Sequence, residues 1–324
     1  YIIRKNGIME KKQLGKTELY TSPLIFGGNV FGWTVNEKES FDLLDEILDL
    51  GINHIDTADV YSRWADGNSG GESETIIGNY FQQRGDRDKY IIATKVGSSM
   101  QQGGDKDISK EHIMKAVEDS LKRLKTDYID LYYTHWDDDK TPVEETLGAY
   151  QQLIKDGKVR YIGTSNLSED RLKESLEASK NEGLPKYEVF QPEYSLAKRD
   201  KFENGIRDIC MENDLGVASY FSLASGFLTG KYESIEDVKG SSREMFLKDY
   251  FDDRGKKILK ALKDISDHRN ISQAAIALRW IMQRPGTTAP IASVTKSKHL
   301  KSFKEAMENE LSKEEMENLN QASS

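Results

Sequence analysis

Short apolar, β-rich runs alternate with amphipathic helical stretches eight times along this 324-residue chain, and that rhythm constrains the fold more than any other feature. The β-rich runs fall at 24–26, 53–56, 90–96, 128–135, 159–165, 189–191, 217–221 and 290–294. Helical patterns fall at 38–50, 72–83, 109–124, 142–156, 168–181, 200–214, 272–284 and 297–308. In the first of these, Phe41, Leu44, Ile47, Leu48 and Leu50 recur near the helical period, and Gly51 ends the pattern. Ser109 opens the third, with His112 three residues on. Thr141 is expected to cap the fourth, with Pro142 in its first turn, Glu144 and Glu145 at the positive dipole end, and Gly157 as the stop. Strands separated by helices imply a parallel sheet. An open doubly wound sheet would carry a glycine fingerprint after its first strand, and Gly27-Gly28-Asn29-Val30-Phe31-Gly32 lacks that spacing. The prediction is a closed (β/α)₈ TIM barrel, with a helical insertion at 232–270 before the seventh barrel helix and a terminal helix at 312–321.

No linker or composition shift divides the chain, so residues 9–324 read as one domain and 1–8 as an N-terminal extension ahead of Met9. The lone Cys210 excludes an internal disulfide framework and a cysteine zinc cluster. A net charge of −9 disfavours non-specific nucleic-acid binding, which depends on neutralising phosphates. The uncharged run 215–230 is too short and too rich in Gly and Ser to span a bilayer. Tyr1-Ile2-Ile3-Arg4-Lys5-Asn6-Gly7-Ile8 lacks the apolar stretch of a secretory signal. The expectation is a cytoplasmic protein with a small-molecule substrate and neither membrane nor nucleic-acid partner; oligomerisation is left open.

Barrel enzymes keep their chemistry at the C-terminal ends of the strands. Here those ends carry Asp56, Tyr61 just beyond it, Lys95, His135, Ser165, Asn166, Gln191 and Tyr220. A tyrosine can act as a general acid, a neighbouring lysine would lower its pKa, and a carboxylate would keep that lysine charged. Each residue alone has an ordinary reading: Asp56 as a loop cap, Tyr61 as a packing aromatic, His135 as a satisfied core histidine. Lys95 is harder to dismiss, because an unpaired charge inside Ile91-Ile92-Ala93-Thr94 would be costly.

Several ordered motifs carry a family resemblance. They are Asn53-His54-Ile55-Asp56-Thr57-Ala58-Asp59-Val60-Tyr61, Glu72-Ser73-Glu74, Ile92-Ala93-Thr94-Lys95-Val96-Gly97 and Tyr128-Ile129-Asp130-Leu131-Tyr132-Tyr133-Thr134-His135. Gly157-Lys158-Val159-Arg160-Tyr161-Ile162-Gly163-Thr164-Ser165-Asn166 and Gly226-Phe227-Leu228-Thr229-Gly230-Lys231-Tyr232 follow. From about Gln13 to Leu319 the chain resembles the aldo-keto reductases. That resemblance implies NADPH-dependent carbonyl reduction with Tyr61 as proton donor, Lys95 and Asp56 tuning it, and His135 positioning the carbonyl. A branch that reduces conjugated double bonds has glutamate at the histidine position, so His135 favours carbonyls.

The resemblance also implies a cofactor site. Gly28 and Asn29 lie beside it, Ser165, Asn166 and Gln191 bind the carboxamide, and Tyr220 stacks on the nicotinamide. Ser222, Leu223, Ser225, Gly226 and Lys231 wrap the pyrophosphate, although Tyr220-Phe221-Ser222-Leu223 stands where the family usually has Tyr-Ser-Pro-Leu. Ser293, Thr295, Lys296, Lys298 and Ser302 take the adenosine end, with Lys301 adding charge. The family often has arginine where Lys298 stands, but Lys296, Lys298 and Lys301 together still favour NADPH and leave NADH use open. A P-loop is excluded, because Gly226 and Gly230 are one residue too close and Tyr232 follows Lys231.

Phe31, Trp33, Trp64 and Trp136 are expected to wall the substrate pocket. The triplet Asp137-Asp138-Asp139 reads as a solvated loop rather than a metal site. Two alternatives to a carbonyl reductase stay open: a cofactor-binding regulatory barrel like the potassium-channel β subunits, and an NAD-linked alcohol dehydrogenase.

Overall fold

The computed structural model describes residues 10–101, 103–240 and 244–324; the expected extension and Met9 lie outside them. Eight parallel strands close into a barrel in sequence order: β1 Ile25–Gly27, β2 His54–Asp56, β3 Ile91–Val96, β4 Ile129–Thr134, β5 Val159–Ser165, β6 Val189–Gln191, β7 Gly216–Ser219 and β8 Ala289–Ala292, which returns to pair with β1. The surrounding helices are α1 Glu37–Asp49, α2 Glu72–Arg84, α3 Lys110–Leu124, α4 Val143–Lys155, α5 Glu169–Glu182, α6 Arg207–Glu212, α7 Asp253–Arg269, α8 Gln273–Met282, α9 Leu300–Glu308 and α10 Lys313–Ala322. The (β/α)₈ barrel is therefore the fold, with α7 as the helical insertion and α10 closing the chain. Among the described residues no helix is long and apolar enough to cross a membrane.

Side chains in a strand point alternately inward and outward, and that parity sorts the core into two. Ile91 and Ala93 of β3 and Leu131 and Tyr133 of β4 fill the barrel interior with Ile25, Val189, Ala218, Ala289 and Ile291. Continuing the inward parity one step further brings Lys95 and His135 to the C-terminal mouth. The outward residues Ile92, Val96 and Tyr132 join the larger core beneath the helices. Asp130 is buried in that outer layer, where it accepts from Arg87 and Arg160 at 2.8 Å each and from the Ile92 N–H at 2.9 Å. Three successive strands are thereby tied through one carboxylate.

The other end of the barrel is stoppered by an antiparallel hairpin, Lys12–Gln13 against Tyr20–Thr21, which the sequence reading did not anticipate. Leu14 and Leu19 insert into the barrel-interior cluster. Gly15 at the turn has φ of 57°, and a Cβ there would lie 2.4 Å from the Glu188 carbonyl, so only glycine fits. Thr21 Oγ1 lies 3.1 Å from His54 Nδ1, fastening the hairpin to β2.

Three local expectations differ from the structure. Helix α4 begins at Val143 with Pro142 in the cap position, because the Thr141 hydroxyl and N–H are both engaged by Asp138 at 2.6 and 2.8 Å. The stretch expected to be helical over 200–214 is broken at Asn204 and Gly205, the latter at φ 114°, and regular α-helix begins only at Arg207. Strand β7 stops at Ser219 rather than running to 221, since Phe221 adopts φ 52° and turns the chain. Helix α1 carries a full capping box between Asn36 and Glu39 that the apolar periodicity could not reveal.

Candidate active site

Strand register assembles the site. Asp56 ends β2 opposite Ala93, Lys95 lies opposite Tyr133, and His135 directly follows β4. Lys95 is fully buried and donates to Asp56 Oδ1 at 2.5 Å, the Thr57 carbonyl at 2.8 Å and the Tyr61 hydroxyl at 2.9 Å. Those three bonds use every hydrogen of the ammonium group. Because the Tyr61 oxygen accepts from Lys95, its own proton is left for another acceptor; its nearest one is Asp56 Oδ1 at a long 3.4 Å. The Tyr61 and His135 rings stand 6.2 Å apart, centroid to centroid, at 72°.

Burial dominates the protonation states. Desolvation holds Lys95 below its ordinary value, against the pull of Asp56. Tyr61 is pushed well above the ordinary phenol value by burial and then by the Asp56 carboxylate. In the resting site desolvation outweighs any lowering by Lys95, and the phenol keeps its proton. His135 is held well below the ordinary imidazole value by burial, then by the charges of Lys95 and Arg63, so it is neutral. Ser98 Oγ lies 3.1 Å from His135 Nδ1, a partner that the sequence reading missed, although Ser98 lies only three residues beyond Lys95.

The residues expected around the carboxamide form one chain of hydrogen bonds. Tyr220 Oη donates to Asn166 Oδ1 at 2.7 Å, and Asn166 Nδ2 donates to Ser165 Oγ and the His135 carbonyl, both at 3.0 Å. Ser165 Oγ donates to the Gln191 carbonyl at 2.8 Å, and Gln191 Nε2 donates to Asp56 Oδ2 at 2.8 Å. The positions expected to meet the cofactor and those expected to serve the proton donor therefore belong to a single network.

Beyond Tyr220 the backbone coils through left-handed conformations at Phe221, Ala224, Ser225 and Gly226 before Leu228. Leu223 is partly buried against the core. The Ser222 hydroxyl is buried and donates to the Ser219 carbonyl at 2.9 Å, so it shapes this loop rather than offering a donor to a ligand. Ser293 Oγ lies 2.7 Å from the Gly27 carbonyl and 2.6 Å from Asn29 Oδ1, beside Gly28. Lys296 and Lys298 are exposed, Thr295 is half-buried, and the Ser302 hydroxyl donates to the His299 carbonyl at 2.7 Å. The charges of Lys298, Lys296 and Lys231 all bear on His299, lowering its pKa after burial does so. Three lysines from two separate loops thus converge on one histidine that the sequence reading passed over. This donor set suits a dinucleotide: amides and hydroxyls at the barrel mouth, and clustered cations at a distance from it.

Trp33, Trp64 and Trp136 gather at the mouth. Trp64 packs edge-on against Trp33 at 5.7 Å and Tyr61 at 5.9 Å, and Trp136 stacks beside His135 at 6.3 Å. Phe31 is a correction: it is wholly buried and stacks on Phe26 at 5.4 Å, so it backs the wall instead of forming its surface. The aspartate triplet is also less solvated than expected. Asp137 is buried in an ion pair with Arg171 at 2.9 Å, Asp138 orders the turn through Thr141, and Asp139 alone is left exposed.

A parallel eight-stranded barrel with this lysine, tyrosine, aspartate and histidine at its mouth defines a class of oxidoreductase. A model of the Aldo/keto reductase family matches residues 23–324, and the chain belongs to that family. It is 33% identical to a "Probable voltage-gated potassium channel subunit beta" of Oryza sativa subsp. japonica, covering 90% of this chain and 89% of that one. It is also 33% identical to the "Uncharacterized oxidoreductase YrpG" of Bacillus subtilis (strain 168), over 96% and 95% of the two chains. The "Aldo-keto reductase YhdN" of the same organism is 31% identical over 91% of this chain and 86% of its own.

Proposed function

We propose that the protein reduces aldehyde or ketone carbonyls to alcohols, with NADPH as the preferred cofactor and Tyr61 as the proton donor. One observation carries the reading: Lys95 donates into the Tyr61 oxygen at 2.9 Å while Asp56 and the Thr57 carbonyl hold the ammonium still.

Ser165, Asn166, Gln191 and Tyr220 would hold the nicotinamide end, the 222–231 loop with Gly28 and Asn29 the pyrophosphate, and Ser293, Thr295, Lys296, Lys298 and Ser302 the adenosine end. When bound, the reduced cofactor supplies the hydride. Tyr61 keeps its proton at rest because burial raises its pKa. As that proton moves to the carbonyl oxygen, the Lys95 ammonium stabilises the negative charge left on the phenol oxygen. His135, neutral and held at Nδ1 by Ser98, presents Nε2 as a second donor to the same oxygen. Trp33, Trp64 and Trp136 narrow the entrance and exclude water. Lys231, Lys296 and Lys298 favour a 2′-phosphorylated cofactor, which is the basis for preferring NADPH to NADH.

Kinship with a channel subunit supports a second reading, a regulatory barrel with little turnover. One assay separates the two: loss of NADPH absorbance with a panel of aldehydes, ketones and aldoses, run beside Tyr61→Phe. Turnover that falls by about 10²–10⁴-fold in the variant, with cofactor binding retained, supports the reductase. Tight NADPH binding with no turnover on any carbonyl would move the assignment to the regulatory barrel.

A further inference from the structure

The loop that follows Tyr61 is fixed along its length. Ser62, at φ 74°, donates its hydroxyl to the Phe31 carbonyl at 2.6 Å. Asn68 Nδ2 reaches the Gly32 and Ser62 carbonyls at 2.8 and 2.9 Å, and Glu72 Oε1 accepts from the Ser69 N–H at 2.8 Å. The Arg63 N–H closes a turn on the Val60 carbonyl at 3.2 Å. Arg63 is thereby held between Tyr61 and Trp64, whose rings pack at 5.9 Å.

Its side chain is left in an unusual condition. Nη1 is shielded from solvent and meets no acceptor, and among the described residues the guanidinium forms no ion pair. Arg63 is partly exposed overall, so it is a cation with one unused donor and, among the described residues, no carboxylate partner, and an anionic acceptor would complete its hydrogen bonding. The group lies close enough to the reaction centre for its charge to act on His135. A second cation lies near that histidine: Lys106 Nζ stands 5.0 Å over the ring of Trp136, which itself stacks on His135. Neither cation takes part in the proton-donor network.

We propose that Arg63 forms an anion subsite beside the carbonyl position, and that the preferred substrates are aldehydes or ketones bearing a carboxylate or phosphate group. This rests on the carbonyl-reductase reading. The substrate oxygen meets Tyr61 and His135, while the anionic group pairs with the partly exposed guanidinium of Arg63, with Lys106 adding positive potential at the rim. The guanidinium fork matches carboxylate and phosphate oxygens alike. The anion is unchanged by the reaction and serves to orient the carbonyl.

The test uses the full chain and matched substrate pairs: succinic semialdehyde against butanal, and glyceraldehyde 3-phosphate against glyceraldehyde. In the native protein kcat/KM should favour the charged member by about 10- to 100-fold, the range a charge-assisted hydrogen bond supports, chiefly through KM. Arg63→Gln should collapse that ratio, and Arg63→Lys should restore part of it. A preference confined to the first pair assigns a carboxylate, and one confined to the second a phosphate. A native ratio at or below one, or a ratio unmoved by Arg63→Gln, overturns the subsite. If no carbonyl, charged or neutral, is turned over, the reductase reading fails and the subsite is judged by melting temperature. Benzoate or inorganic phosphate should then raise that of the native chain and not that of Arg63→Gln, and equal responses overturn it.

Discussion

Gln191 Nε2 lies 2.8 Å from Asp56 Oδ2, while Lys95 holds Oδ1 of the same carboxylate at 2.5 Å. One buried aspartate is thus shared between a residue expected to meet the cofactor and the lysine that supports the proton donor. Gln191→Leu should leave Oδ2 without its partner and destabilise the fold by about 1–3 kcal/mol, as loss of a partner to a buried charged acceptor does. Melting temperature and kcat should fall together. A variant that melts normally and turns over normally would show that the shared carboxylate does not couple the two halves.

Ser98→Ala should release His135 Nδ1, now held at 3.1 Å, and let the imidazole change tautomer or tilt. A neutral hydrogen bond of this kind supports a loss of about 2- to 10-fold in kcat/KM. Ser98→Thr, which keeps the hydroxyl, should recover most of it. Failure of threonine to rescue would assign the loss to packing.

Lys296→Met and Lys298→Met should each raise the KM for NADPH by about 10-fold or more, while that for NADH moves far less, because only NADPH carries the 2′-phosphate. Added salt should weaken NADPH binding to the native chain in the same direction. Equal effects on both cofactors would show that these lysines do not read the phosphate.

Asp59 gives a pH-dependent stability. It is buried with Oδ1 unpartnered, and burial, then the nearby Glu74 carboxylate, raises its pKa well above the ordinary 3.8. The folded chain therefore holds this proton more tightly than the unfolded chain, so the contribution of Asp59 to stability declines as pH rises from that ordinary value through the raised one. A side-chain amide cannot ionise, so Asp59→Asn should melt higher than the native chain, by a margin that widens as pH rises above the ordinary carboxylate value. A margin that stays constant with pH would mean that Asp59 is not taking up the proton.

The barrel was legible because parity and period are written locally: Ile91, Ala93 and Lys95 already place the lysine on the inward face at the mouth. Asp56, Tyr61 and His135 were legible as a set, since each sits at or just past a strand end. The hairpin stopper was not, because Lys12–Gln13 and Tyr20–Thr21 are two residues each and show no periodicity. Arg63, Ser98 and His299 were missed for a related reason. Their surroundings come from other loops, and only the folded chain sets Ser98 against His135 or brings the charges of Lys231 and Lys296 to bear on His299. The direction of the Tyr61 shift depended on how deeply the phenol is buried, which a list of neighbouring residue types cannot state.

The hairpin at the base carries one more consequence. A vessel plugged at the bottom by Leu14 and Leu19 has a single doorway, so everything that reaches Lys95 must arrive and depart through the rim that the tryptophans crowd. Two ligands using one doorway must queue: whichever lies deeper enters earlier and leaves later. The order of arrival and departure would then be set by the architecture of a blind-ended barrel, before any difference in affinity is considered.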